Sequence, residues 1–137
     1  MARLLPSTQS GRRTRVTFRE ILESVVLKTP GALAGVVMAV DGIPVDEFVR
    51  EGAHIDLATL SVEFQRVIDQ ARKVSGALYG ETGGGLEELL LITTGHQLLF
   101  RQLDDDFFVA IALDPSGSLG KARYLVRSLL RNLQEAL

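Results

Sequence analysis

The sequence contains no cysteine and no tryptophan, only four prolines and two histidines, and 6% aromatic residues. Without cysteine there is no disulfide, no thiolate nucleophile and no cysteine-ligated zinc or iron–sulfur site, so a reducing cytoplasm is the expected location. No apolar run approaches the roughly 18 residues of a membrane-spanning helix, so membrane insertion is not expected. An excess of positive charge is also missing. The formal charge is −2, which argues against nucleic acid as the main partner. What remains suits one folded domain: 137 residues, 46% hydrophobic and 23% charged. A chain of this length hides roughly two thirds of its unfolded surface, and the composition excludes wholesale disorder.

The charge is uneven. Arg3, Arg12, Arg13 and Arg15 are the only charged residues of positions 1–16, giving +4 there and −6 for the rest. With one proline, small polar residues and no hydrophobic period, residues 1–16 read as a flexible basic tail on an acidic domain spanning 17–137. Leu4 and Leu5 do not make the apolar core of a secretory signal.

Thr17-Phe18-Arg19-Glu20 has the spacing of a capping box, and Phe18, Ile21, Leu22, Val25 and Val26 follow at helical intervals. Pro30-Gly31 ends that helix. Val36–Val40 is continuously apolar, Asp41-Gly42 signals a hairpin, and the more polar run from Pro44 reads as a strand near a sheet edge. A second helix is predicted over Leu57–Val74, closed by Ser75-Gly76. Three strand-like runs follow, Leu86–Thr93, His96–Leu103 and Phe107–Leu113, and then a last helix after Asp114-Pro115-Ser116-Gly117. The order is α-β-β-α-β-β-β-α, an α+β class. Short links inside each strand group favour antiparallel pairing. The runs VVMAV, LLLI and VAIAL do not alternate, so the sheet needs helices on both faces.

Motifs that invite chemistry fail on inspection. The glycines of Gly80–Gly85 precede a strand, whereas a phosphate loop opens a helix. Gly120-Lys121 lacks the rest of a phosphate-loop signature, since Pro115 and Ala122 stand where glycine and a hydroxyl are required. His54 and His96 belong to no ligand pattern, so no metal is expected. Asp104-Asp105-Asp106 lacks the spaced ligands of a calcium loop and reads as a solvated hairpin tip. Ser116 and Ser118 have no base placed beside them and read as cap or loop residues. No cofactor or catalytic constellation emerges. On the second helix, Ala58, Val62, Gln65 and Asp69 share a lane off the apolar stripe, a candidate contact surface for a second copy or a partner.

The segments PGALAGVVMAVDGIPV (30–45), the glycine loop with LEELLLI (83–92) and GSLGKARYLVRSLLRNL (117–133), in this order and spacing, resemble the Roadblock family of dynein light-chain-type domains, and in particular its bacterial MglB-type members. The resemblance covers residues 17–137. It implies a five-stranded antiparallel sheet with the second helix on one face and the first and last on the other. It also implies a homodimer in which second helices pair and third strands join, with Leu89, Leu91 and the Ala58–Asp69 lane at the matching positions. Members typically bind Ras-like small GTPases, and MglB-type members stimulate GTP hydrolysis by reshaping the GTPase. Arg66 and Lys73 are partner-facing candidates by position. The function implied is a non-enzymatic homodimeric regulator of a small GTPase in cell polarity or motility; the alternative is a dimeric scaffold for larger assemblies. A ligand-sensing module and an enzyme in its own right rank below both.

Overall fold

The computed structural model describes residues 17–80 and 85–136. The basic tail and most of the glycine loop lie outside the described residues. Eight elements follow in the expected order: α1 (Phe18–Lys28), β1 (Ala32–Ala39), β2 (Pro44–Val49), α2 (Leu57–Tyr79), β3 (Glu88–Ile92), β4 (Gln97–Gln102), β5 (Phe107–Leu113) and α3 (Leu119–Ala136). The strands form one antiparallel sheet in the order β2-β1-β5-β4-β3.

Local chemistry starts and stops these elements. The Glu20 amide donates to Thr17 Oγ1 at 3.1 Å, and Glu20 Oε1 accepts from the Thr17 amide at 3.0 Å, so the capping box is complete. α1 then buries Ile21, Leu22, Val25 and Val26. β1 and β5 lie inside the sheet and are buried along most of their length. That is why their sequences are continuously apolar: each must satisfy two cores. One core joins α1 and α3 to Val37, Leu99, Val109 and Ile111. The other joins α2 to Val36, Met38, Phe100 and Phe108. On the α2 side, Phe64 meets Phe100 edge-on at 5.3 Å between centroids, a geometry that suits ring quadrupoles.

The two helices of the α1/α3 layer are tied where their loops cross. Gly31 has φ +81°, and a Cβ there would lie 2.4 Å from the Gly117 Cα. The Asp114 amide donates to the Gly31 carbonyl at 2.8 Å, and the Ser118 amide to that of Pro30 at 2.9 Å. Gln97, nearly buried at the start of β4, donates through Nε2 to the carbonyls of Asp114 (3.0 Å) and Gly117 (2.9 Å).

Boundaries differ from expectation in three places. β1 starts at Ala32, four residues before the β-branched run, because Ala32 and Ala34 pair with Leu113 and Ala112 of β5. β3 is shorter than the apolar run implied. Ser75-Gly76 does not close α2, which runs on to a cap at Gly80 (φ +79°). Nothing crowds Gly76, and a helix tolerates glycine at a modest cost. At 1.5 Å per residue the 23 residues of α2 reach about 34 Å. The strands beneath reach only about 20 Å, so the last turns of α2 overhang the sheet.

Candidate functional site

The two edges of the sheet are built differently. At the β2 edge, alternation points the Glu47 amide and carbonyl outward, because Arg50, Phe48 and Asp46 face β1. Both Glu47 groups are occupied. The amide donates to Asp46 Oδ1 at 2.8 Å, and the carbonyl accepts from Arg19 Nη1 at 2.8 Å. The Arg19 guanidinium also lies 5.5 Å from the Phe48 ring centre. Pro44 removes a further donor.

Among the described residues, the β3 edge has none of this. The Gln102 amide donates to the Glu87 carbonyl and the Thr93 amide to that of His96. Residues 87, 89, 91 and 93 therefore direct their backbone at β4, and Glu88, Leu90 and Ile92 direct theirs outward. Leu90, Leu91 and Ile92 are exposed (36, 41 and 63%). Among the described residues nothing bonds to these outward amides and carbonyls, and an apolar strand with such a row is a template for pairing.

Leu89 and Leu91 pair with Phe100 and Leu98 and share the α2 side of the sheet. The α2 flank that faces them carries Leu60 and Val67, half-buried, and beyond them Val74 and Leu78, exposed at 52 and 70%. Between the start of α2 and β4 lies an apolar groove of about 360 Å³, lined by Ile55, Leu60, Phe64 and Leu98, with His54 and His96 at its rim. Both histidines are exposed. Among the described residues no group of three His, Asp or Glu is arranged to hold a metal ion, and no helix is long and apolar enough to cross a membrane.

Ala58, Val62, Gln65 and Asp69 form the opposite flank of α2. Gly42 of the β1–β2 turn lies against Gln65, 3.5 Å from its Cβ for a built Cβ, which turns this lane toward the β2 edge. Val62 is half exposed. The structure therefore does not bring this lane together with Leu89 and Leu91, although one surface was expected to contain both. Arg66 and Lys73 are exposed beside the lane and paired within the helix, to Glu63 and Asp69, each at 3.3 Å. Such exposed pairs are worth little and are readily exchanged.

Among the described residues, two groups depart from ordinary ionisation. Asp56 caps α2, accepting from the Thr59 hydroxyl (2.6 Å) and amide (3.2 Å), and these bonds hold its carboxyl below the ordinary carboxylate value. Arg123 of α3 donates to Glu88 Oε1 through Nε and Nη2 at 3.1 and 2.7 Å, which raises its pKa further through hydrogen bonding and then charge. Glu88 also lies 3.9 Å from Arg101. It thereby anchors the free strand β3 to its neighbour and to the helix above.

Among solved structures, a Roadblock/LC7 domain from Streptomyces avermitilis is 12% identical, with a TM-score of 0.74, over 88% of this chain and 97% of that one. The gliding protein MglB from Thermus thermophilus is 18% identical, with a TM-score of 0.72, over 85% of each chain. These establish the fold. MglC from Myxococcus xanthus is 34% identical over 89% of this chain and all of its own, with a TM-score of 0.63. The chain belongs to the Roadblock family. No family model and no curated protein matches it. The family resemblance carried by the three sequence segments thus holds, and the sequence shares more with MglC than with MglB.

Within this Roadblock fold, sequence reasoning missed the flank of Leu60, Val67 and Val74. Their seven-residue spacing was visible, but it merges with the buried stripe and reads as core. It also missed the outward backbone of Leu90, which depends on pairing phase, and the roles of Glu88, Arg123 and Arg19. An acid pair, Glu87-Glu88, interrupting the apolar run LEELLLI was the available signal for Glu88.

Proposed function

We propose that this Roadblock chain is a homodimeric regulator that binds a Ras-like small GTPase and changes its nucleotide state. One observation carries the self-association: the capped β2 edge against the open, apolar β3 edge. Two copies meeting about a two-fold axis would join their β3 strands, with Leu90 opposite its own copy when overlap is greatest. Second helices running antiparallel would bring the overhanging Val74 and Leu78 of one copy toward the groove of Leu60 and Leu98 on the other. Leu89 and Leu91 lie at the centre of this contact. The Ala58–Asp69 lane with Arg66 and Lys73, on the other flank, is then left for the GTPase.

The regulator acts through preferential binding. A surface that prefers one conformation of the GTPase shifts the population toward it, by no more than the difference in affinity. No inserted arginine is required; Arg66 would have to leave Glu63 to serve as one.

The test measures GTP turnover by the cognate Ras-like GTPase with and without this chain, alongside its mass by light scattering. A dimer that accelerates turnover is expected. Binding without a change in rate favours the scaffold reading, and no binding to either nucleotide form overturns the GTPase assignment.

A further inference from the structure

The charge of this chain is unevenly divided along its sequence. Residues 1–28 hold six cations and two acids, and α3 holds Lys121, Arg123, Arg127 and Arg131 against Glu135. Together these segments carry +7 and the remainder of the chain −9. α1 and α3 form the same layer, and they run antiparallel: Ser118 meets Pro30 at one end, and Asn132 neighbours Glu20 and Ser24 at the other. The start of α1 therefore lies beside the arginine-bearing half of α3.

α3 turns its described apolar side chains to the core, where Ala122 and Val126 are buried and Leu119, Leu125, Leu129 and Leu130 pack against them. Its outer side presents Tyr124, 64% exposed, between Lys121 and Arg127, with Arg131 one turn further on. Arg127 and Lys121 make no ion pair among the described residues. Arg131 reaches Glu135 at 3.7 Å in an exposed pair, and Arg123 is held by Glu88 at the border of the lane. On the α1 side, Glu20 is occupied in its own cap. Arg123, Arg127 and Arg131 follow at four-residue intervals, which places successive guanidinium stems about 6 Å apart along the helix.

We propose that the outer face of α3 is a second docking surface, on the side of the sheet away from α2, for a carboxylate-rich helical segment of a partner protein. Arginine forks match carboxylates in pairs, and a helix with acids four residues apart repeats at the spacing of the lane. Arg and Tyr are also the residue types that concentrate binding energy at protein contacts. A short acidic segment touches only the basic side. A membrane or a nucleic acid is an extended polyanion, and it would also face the −9 borne by the rest of the chain. The described leucines of α3 pack on the core, whereas an interfacial helix needs an apolar side free to bury in lipid.

The test uses the full chain, isotope-labelled, with a synthetic helical peptide carrying glutamates four residues apart, and separately with phosphatidylserine–phosphatidylcholine vesicles. Amide signals of residues 119–131 are expected to shift on adding the peptide. Arg127→Glu with Arg131→Glu should weaken binding roughly tenfold or more, about 1.4 kcal/mol, and the milder Arg127→Gln with Arg131→Gln should lie between. The same reversal on α2, Arg66→Glu with Lys73→Glu, should leave the affinity within about twofold. Equal weakening by the α2 reversal overturns the proposal. So does loss of binding from Arg12→Ala, Arg13→Ala and Arg15→Ala with the α3 reversal silent, or binding to vesicles without binding to the peptide.

Discussion

Arg50 gathers three pieces of chain with one side chain. Its guanidinium donates to the Ala32 carbonyl at 2.7 Å and to the last-turn carbonyl of Val26 at 2.5 Å, with Thr29 within 3.3 Å. The end of α1, the turn after it and the start of β1 are thereby fixed to the end of β2. A charged donor to a carbonyl is worth roughly 1.5–3 kcal/mol, and Arg50→Ala should lower unfolding free energy by about 2 kcal/mol in urea melts, with the far-ultraviolet spectrum of the native state retained. Asp56 allows a test by pH. Its carboxyl is held below the ordinary value by Thr59, so its contribution is fully present above the unfolded value of about 3.9 and is lost as pH falls through the lower folded value. Asp56→Asn keeps a cap that does not titrate. The stability of that variant should fall less steeply than wild type below pH ~4 in acid titrations followed by circular dichroism.

At the scale of elements, β3 is where structure adds most to sequence. The Leu90 amide faces away from β4, so Leu90→Pro removes no bond of the β3–β4 ladder while blocking the first bond of any joined pair. Its expected outcome is a folded chain of half the wild-type mass by light scattering; a dimer of unchanged mass would place the contact elsewhere. Helix and strand order was legible because each element repeats at its own period and carries its own punctuation. The Thr17–Glu20 box, Asp41-Gly42 and the non-alternating β5 run all hold in the structure. The ends were less legible. Gly76 ends a helix only if something replaces the next turn, and here nothing does. Of the residues expected at a contact surface, Leu89 and Leu91 lie on β3 at the sheet edge, and Val62 lies on the flank of α2 turned away from them. The crossing of a helix over a sheet sets that relation, and periodicity within one helix carries no record of it.

The described domain is two unequal cores sharing one sheet, and its two faces differ in helix number. The α1/α3 layer is locked at its loops by Gly31 against Gly117 and by Gln97. α2 lies alone on the other side with its last turns beyond the strands. Such a body presents separate surfaces, so one contact need not exclude the next. The guarded β2 edge has a further consequence. In the proposed homodimer, strand addition at β3 would use up that open border, and each joined pair would end on both sides in a border where Arg19 and Asp46 occupy the Glu47 backbone and Pro44 removes a donor. Growth into a filament would then meet a guarded border at either end, and two copies would make a closed number.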